Sequence, residues 1–146
     1  MSDPISAEAD DRFPSGKWVG FFLDRRMPGK HQMELHLTFR AGEMTGEGRD
    51  RVGEFHIQGR YETGSGECKF VKRYVDRHVI FYRGFNEGKG IWGAWELKWG
   101  VLSFQGGFHI WPEGMGDPTQ HTLKEEIDLP VDVTEESHEK ELAPAR

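Results

Sequence analysis

Residues 32–40 read QMELHLTFR, and this stretch decides the fold class. Apolar and polar residues alternate through it, which is the pattern of a β-strand with one buried face. The residues that share the apolar face are Met33, Leu35, Leu37 and Phe39. A turn is predicted at residues 41–43, and residues 44–50 continue the alternation, so the sequence predicts a β-hairpin here.

The same alternation recurs on both sides of this hairpin and predicts eight strands. They span residues 17–24, 32–40, 44–50, 55–61, 68–74, 78–85, 91–97 and 106–112. Short connections favour antiparallel pairing of consecutive strands. Closing such a meander into a barrel removes its exposed edges. We therefore predict an all-β fold, an eight-stranded antiparallel up-and-down barrel.

Charge divides the chain into three parts. Residues 1–16 carry a net charge of −3, residues 17–112 carry +4 and residues 113–146 carry −7. We predict a flexible acidic N-terminal tail over residues 1–15 and the barrel domain over residues 16–112. The remaining residues are predicted to form an acidic C-terminal extension that is partly disordered or draped on the barrel.

Several kinds of site lack their sequence signature. Cys68 is the only cysteine, which excludes an intramolecular disulfide and a cluster of thiolate ligands. The histidines show no metal-ligand spacing, and no phosphate-cradling loop leads into a helix. No apolar run reaches about 18 residues, and the N-terminus has no signal-peptide pattern. We expect a cytoplasmic protein with no cofactor, no metal site and no membrane partner.

Three short motifs resemble a known family of small barrels. Gly16-Lys17-Trp18 opens the first strand, Gly59-Arg60-Tyr61 ends the fourth, and Trp95 lies in the seventh. In this order they resemble the calycin barrels, and among those the avidin–streptavidin type. The biotin-contacting Asn and Ser of that type are absent, because Val19, Gly20 and Phe21 follow the first tryptophan. The resemblance therefore implies an architecture and carries over no binding residue.

Six polar or aromatic side chains are predicted to point into the barrel as a candidate ligand-binding cluster: Asp50, Lys72, Tyr74, His78, Tyr82 and Trp95. A charge inside a small barrel is costly unless it is paired, so we expect Asp50 and Lys72 to interact, with a tyrosine hydroxyl donating to the carboxylate. The cluster is either a closed structural network or a pocket, and the sequence leaves both open.

The register of the fifth and sixth strands decides which of these side chains point inward. A three-residue turn at residues 75–77 would pair Tyr74 with His78 and direct both into the barrel. A two-residue turn would instead put Val79 and Phe81 on the face of Tyr74.

Glycines recur at inward positions of the predicted strands. They are Gly20, Gly46, Gly48, Gly59, Gly84 and Gly93. Glycine inside a strand permits sharp coiling and close packing, but it could also leave room for a ligand.

An outer apolar patch is predicted where the first strand meets the last two. Its candidate members are Val19, Phe21, Leu23, Trp92 and Trp111. Large apolar patches are rarely left in water, so we expect a cover. A second subunit, a partner protein, or the alternating segment Ile127, Leu129, Val131 and Val133 could supply it.

The leading functional hypothesis is a non-enzymatic barrel that binds a small molecule or peptide, or that serves as an oligomerisation module. The first alternative is an enzyme of the cyclase, isomerase or hydratase type that uses the inward Asp, Lys, His and Tyr side chains. The second is single-stranded nucleic-acid binding by Lys69, Arg73 and Arg83. The overall acidity and the inward placement of most neighbouring aromatic side chains disfavour nucleic acid.

Overall fold

A computed structural model of the chain describes residues 8–75 and 77–119. Eight antiparallel strands pair in chain order, and the first also pairs with the last, so that they close into a barrel. The strands are β1 (Gly16–Asp24), β2 (Met27–Arg40), β3 (Glu43–Asp50), β4 (Glu54–Tyr61), β5 (Glu67–Tyr74), β6 (Val79–Asn86), β7 (Ile91–Trp99) and β8 (Leu102–Pro112), and a short 3-10 turn follows at Glu113–Met115. The predicted all-β up-and-down barrel is confirmed, with all eight strands.

Two strands begin several residues earlier than predicted. β2 starts at Met27, so Pro28-Gly29 lies within the strand and the turn lies at residues 25–26. Pairing between β1 and β2 is irregular at this point, and such a bulge tolerates both proline and glycine. β8 starts at Leu102, because Gly100 adopts a positive φ of 64° and permits a two-residue turn.

The register question between β5 and β6 has a clear answer. Lys72 pairs with Ile80 and Arg73 pairs with Val79, and this register sets Tyr74 opposite His78 with three residues between them in the sequence. Tyr82 therefore points into the barrel, whereas Phe81 points outward and is 53% exposed. The three-residue turn is the correct prediction of the two.

The inward glycines hold strands close together and do not leave a cavity. A Cβ atom on Gly59 would lie 2.4 Å from the Cα atom of Phe70, and one on Gly48 would lie 2.8 Å from the ring of Phe55. At these two positions the space is already filled, so the glycines serve the tight coiling of the barrel.

One end of the barrel is closed by the segment that precedes β1. Phe13 is fully buried there, with its ring centroid 4.7 Å from Tyr61 and 5.4 Å from Phe39. The indole of Trp18 donates a hydrogen bond of 2.9 Å to the carbonyl of Pro14. Residues 8–15 thus form a plug at this end, and the domain boundary predicted at residue 16 stays a prediction. An isolated phenylalanine in a polar stretch gave no periodic signal for the plug.

Candidate functional site

A buried ion pair lies across the interior of the barrel. Asp50 ends β3, and Lys72 lies in the middle of β5, two strands away. The Lys72 Nζ atom is 2.7 Å from Asp50 Oδ2, and the two side chains are 1% and 0% exposed. The predicted interaction between these residues is thus present in the structure.

The Asp50 carboxylate is fully engaged. Its Oδ2 atom also accepts a 2.7 Å hydrogen bond from the Tyr74 hydroxyl, and its Oδ1 atom accepts one of 2.9 Å from the backbone N–H of Val52. Burial, and then the bond to Asp50, raises the pKa of Tyr74. Three donors for one buried carboxylate make a satisfied network of the kind that fixes a core.

Aromatic rings surround the Lys72 ammonium. Its Nζ atom lies 4.7 Å from the ring centroids of Phe22 and Phe55, 5.0 Å from that of Tyr74 and 5.2 Å from that of Tyr82. Ring faces attract a cation electrostatically and replace part of its lost hydration. Burial nevertheless lowers the pKa of Lys72 to about 8, against the opposing effect of its carboxylate partner.

Tyr82 differs from Tyr74 in the state of its hydroxyl. The Tyr82 ring is packed on both sides, with centroids 4.9 Å from Phe70 and 4.8 Å from Phe108, and the residue is only 4% exposed. Within residues 8–75 and 77–119, no group forms a hydrogen bond with its hydroxyl. Burial first, and then the charge of Asp50, raises its pKa well above the ordinary value.

The Tyr82 side chain lines a small cavity at the open end of the barrel. This cavity has a volume of about 70 Å³. The apolar residues that line it are Phe22, Met27, Val52, Ile80, Trp95 and Leu97. The polar residues beside them are Asp24, Arg26, Tyr74 and His78. At about 30 Å³ for each water in the liquid, the space suits two water molecules or one compact group of a ligand.

An arginine is fixed at the rim of this cavity. Arg26 donates to both carboxylate oxygens of Asp24, at 3.0 and 2.7 Å, and its guanidinium lies 4.1 Å from the ring centroid of Phe104. Burial raises the pKa of Asp24, but the hydrogen bonds from Arg26 outweigh it and lower the pKa overall. The sequence prediction missed both residues; their signal was a carboxylate two residues before an arginine in a tight turn.

The structure divides the six predicted cluster residues into two groups. Asp50 and Lys72 form the network with Tyr74 beneath the cavity. Neither Asp50 nor Lys72 lines the cavity itself. Tyr74, Tyr82, Trp95 and the half-buried His78 line the cavity. The indole of Trp95 donates a 2.9 Å hydrogen bond to the carbonyl of Leu23. Of the six predicted residues, only Tyr82 has a buried polar atom, its hydroxyl oxygen, that forms no hydrogen bond within the described residues.

The predicted outer patch is less exposed than its composition suggests. Phe21 and Trp111 are each only 7% exposed, whereas Trp92 is 46% exposed. The Lys30 ammonium lies 4.6 Å from the ring centroid of Phe21 and covers part of it. Val19 and Leu23 are partly buried. The segment Ile127, Leu129, Val131 and Val133 lies outside the described residues, and a homo-oligomer through this patch stays a prediction.

Three basic side chains of β5 and β6 lie on the outer wall, as expected. Lys69, Arg73 and Arg83 are exposed. Phe81 shares this wall, so not every aromatic residue of these strands is separated from the bases. Glu67 lies 3.8 Å from Lys69 and 3.6 Å from Arg83, and it neutralises part of their charge.

Compared with known proteins, the chain matches no family model, no curated protein and no solved structure. Among the described residues no helix is long and apolar enough to cross a bilayer, and no group of three or more potential ligand side chains is placed to hold a metal ion.

Proposed function

We propose that this protein is a non-enzymatic binding barrel that holds a small molecule, or the end of a peptide, at its open end. The observation that carries the proposal is the Tyr82 hydroxyl. The Tyr82 side chain is buried and lines a cavity, and its hydroxyl has no hydrogen-bond partner among the described residues. An unpaired buried polar group costs about 1–3 kcal/mol, so a ligand atom that bonds to it would offset a cost already present in the fold.

The size of the cavity limits what enters it. Ligand pockets for molecules of drug size usually enclose roughly 300–1,000 Å³, several times the space found here. The bound group is therefore compact, with one hydrogen-bonding atom and an apolar body that packs against Trp95 and Ile80. The rest of a longer ligand would leave the mouth beside His78, whose ring is 5.3 Å from that of the exposed Trp99.

The state of the ion pair favours binding over catalysis. A general acid or base must reach the proton that it transfers, but Asp50 and Lys72 are held by each other beneath the cavity floor. The resemblance to calycin barrels of the avidin–streptavidin type agrees with a binding role, since eight-stranded barrels of that size can hold one small ligand. The expectation of a cytoplasmic protein stays a prediction.

The proposal is tested with Tyr82→Phe, which removes only the hydroxyl. A library of small amides, acids and ring compounds is screened by NMR against the full chain, with the indole signal of Trp95 as the reporter. We expect compounds that shift this signal to bind Tyr82→Phe about two- to tenfold more weakly, the cost of one hydrogen bond.

Tyr61→Phe is the matched control, because Tyr61 is a buried tyrosine at the closed end, where its hydroxyl donates to Glu8. It should leave the affinity for these compounds unchanged. The absence of any compound that shifts the Trp95 signal, or equal affinities for the parent chain and Tyr82→Phe, would overturn the proposal.

A further inference from the structure

The open end of the barrel carries exposed apolar side chains at its outermost points. The turn between β7 and β8 presents Val101, which is 100% exposed, between Trp99 at 58% and Leu102 at 55%. Val75, in the connection between β5 and β6 at the same end, is 51% exposed. Such large apolar side chains on turn tips are not needed to fill the core, so their exposure calls for a partner.

Arginines occupy the other connections at this end. Arg25 lies between β1 and β2, Arg51 between β3 and β4, and Arg77 between β5 and β6, and all three are exposed. Two acids of these connections, Asp24 and Asp50, are buried in ion pairs and present no free charge to solvent. Glu54 is exposed here, and residue 76, an aspartate, lies outside the described residues.

The opposite end carries exposed charges of both signs. Four glutamates are exposed here: Glu43 at the start of β3, Glu62 and Glu87 in connections, and Glu113 after β8. Bases accompany three of them, since Arg60 lies 3.9 Å from Glu43, Lys17 lies 3.6 Å from Glu113, and Lys89 is exposed beside Glu87. The plug formed by residues 8–15 adds Asp11, which is also exposed. The two ends therefore differ: charges of both signs share the closed end, whereas the exposed connections of the open end carry arginines beside apolar tips.

We propose that the open end of the barrel docks on the surface of a bilayer that contains anionic lipid. Trp99, Val101 and Leu102 would enter the interfacial layer, where tryptophan is favoured, and the arginines would lie among the phosphate groups. Docking of this kind needs no spanning segment, so the expectation of no membrane partner, which rested on the lack of such a segment, does not oppose it. The proposal is independent of the ligand cavity.

A bilayer suits this surface better than an acidic protein does. The apolar side chains project from the turn between β7 and β8 and from the strand ends beside it. A protein partner would need a preformed pocket for each tip, whereas a lipid interface accommodates projecting tips and spaced cations together.

Flotation of the full chain with lipid vesicles tests the proposal. We expect the protein to float with vesicles of phosphatidylcholine and phosphatidylserine, to stay behind with phosphatidylcholine alone, and to be released by salt. Arg25→Ala should weaken the partition about fivefold, the loss of one basic side chain at an anionic surface. Val101→Asp with Leu102→Asp should abolish it. The tryptophan emission should shift to shorter wavelength on binding, except in Trp99→Phe.

Controls on the outer wall separate this docking from general attraction between charges. Lys69→Ala and Phe81→Asp alter exposed residues of the outer wall that belong to none of the open-end connections, and both should leave flotation unchanged. Failure to float with the anionic vesicles, or an equal loss in the outer-wall variants, would overturn the proposal. Retention of the protein on immobilised polyglutamate without flotation would assign the surface to an acidic protein and would likewise overturn it. Tyr82→Phe should float normally, so a failed ligand screen and a failed flotation remain distinguishable.

Discussion

The two ends of the barrel are built from the same strands but differ in the bonding of their buried polar groups and in the exposure of their apolar side chains. At the closed end, the plug buries Phe13 completely, and Trp18 and Tyr61 both use their polar atoms in hydrogen bonds. At the open end, a buried tyrosine hydroxyl has no partner among the described residues, and apolar turn tips face solvent. The closed end thus satisfies its buried polar groups within the chain, while the open end retains groups that have no partner among the described residues.

Breaking the ion pair beneath the open end is expected to have the largest effect on stability. Lys72→Met leaves the Asp50 charge buried without its cation, and we expect a loss of about 3–5 kcal/mol in the free energy of unfolding, measured by urea denaturation. Lys98→Met is the control, because Lys98 and Glu96 form a solvent-exposed pair at 3.7 Å. Its loss should stay below about 1 kcal/mol, and equal losses for the two variants would contradict the account.

Removing the centre of the plug tests the closed end. Phe13→Ala should cost about 3–5 kcal/mol, because the residue is fully buried among aromatic rings. Leu102→Ala, at an exposed turn tip of the open end, should change stability by less than about 0.5 kcal/mol. A small effect of Phe13→Ala in the same denaturation experiment would show that the plug does not stabilise the barrel.

The pKa of Lys72 reports on the buried ion pair beneath the open end without a substitution. Burial lowers its pKa from the ordinary 10.5 to about 8. Between these values the unfolded chain holds a proton that the folded chain has lost, so the contribution of Lys72 to the free energy of unfolding rises with pH across this window. An NMR titration of the Lys72 Cε atom should show a midpoint near 8, and a midpoint near 10.5 would contradict the buried placement.

The sequence predicted the barrel wall better than its ends. Strands alternate with a period of two, so QMELHLTFR and its neighbours reveal which side chains point inward, including Asp50 and Lys72. The plug around Phe13 has no period, because a single aromatic residue finds its place through tertiary contacts. For a similar reason, the sequence could not predict whether the Tyr82 hydroxyl forms a hydrogen bond. Whether a buried group is bonded depends on distances across the lumen, which strand alternation does not specify.

The smallest change in the free energy of unfolding is expected for Tyr82→Phe, because the Tyr82 hydroxyl at the open end is unsatisfied among the described residues. Tyr74 and Tyr82 are both 4% exposed, but only Tyr74 donates to the carboxylate of Asp50. Tyr74→Phe should lower the free energy of unfolding by about 1.5–3 kcal/mol, since it removes a hydrogen bond to a charged group. Tyr82→Phe should leave stability unchanged or raise it. A loss for Tyr82→Phe as large as that for Tyr74→Phe would mean that its hydroxyl is already satisfied within the chain, and would contradict the account.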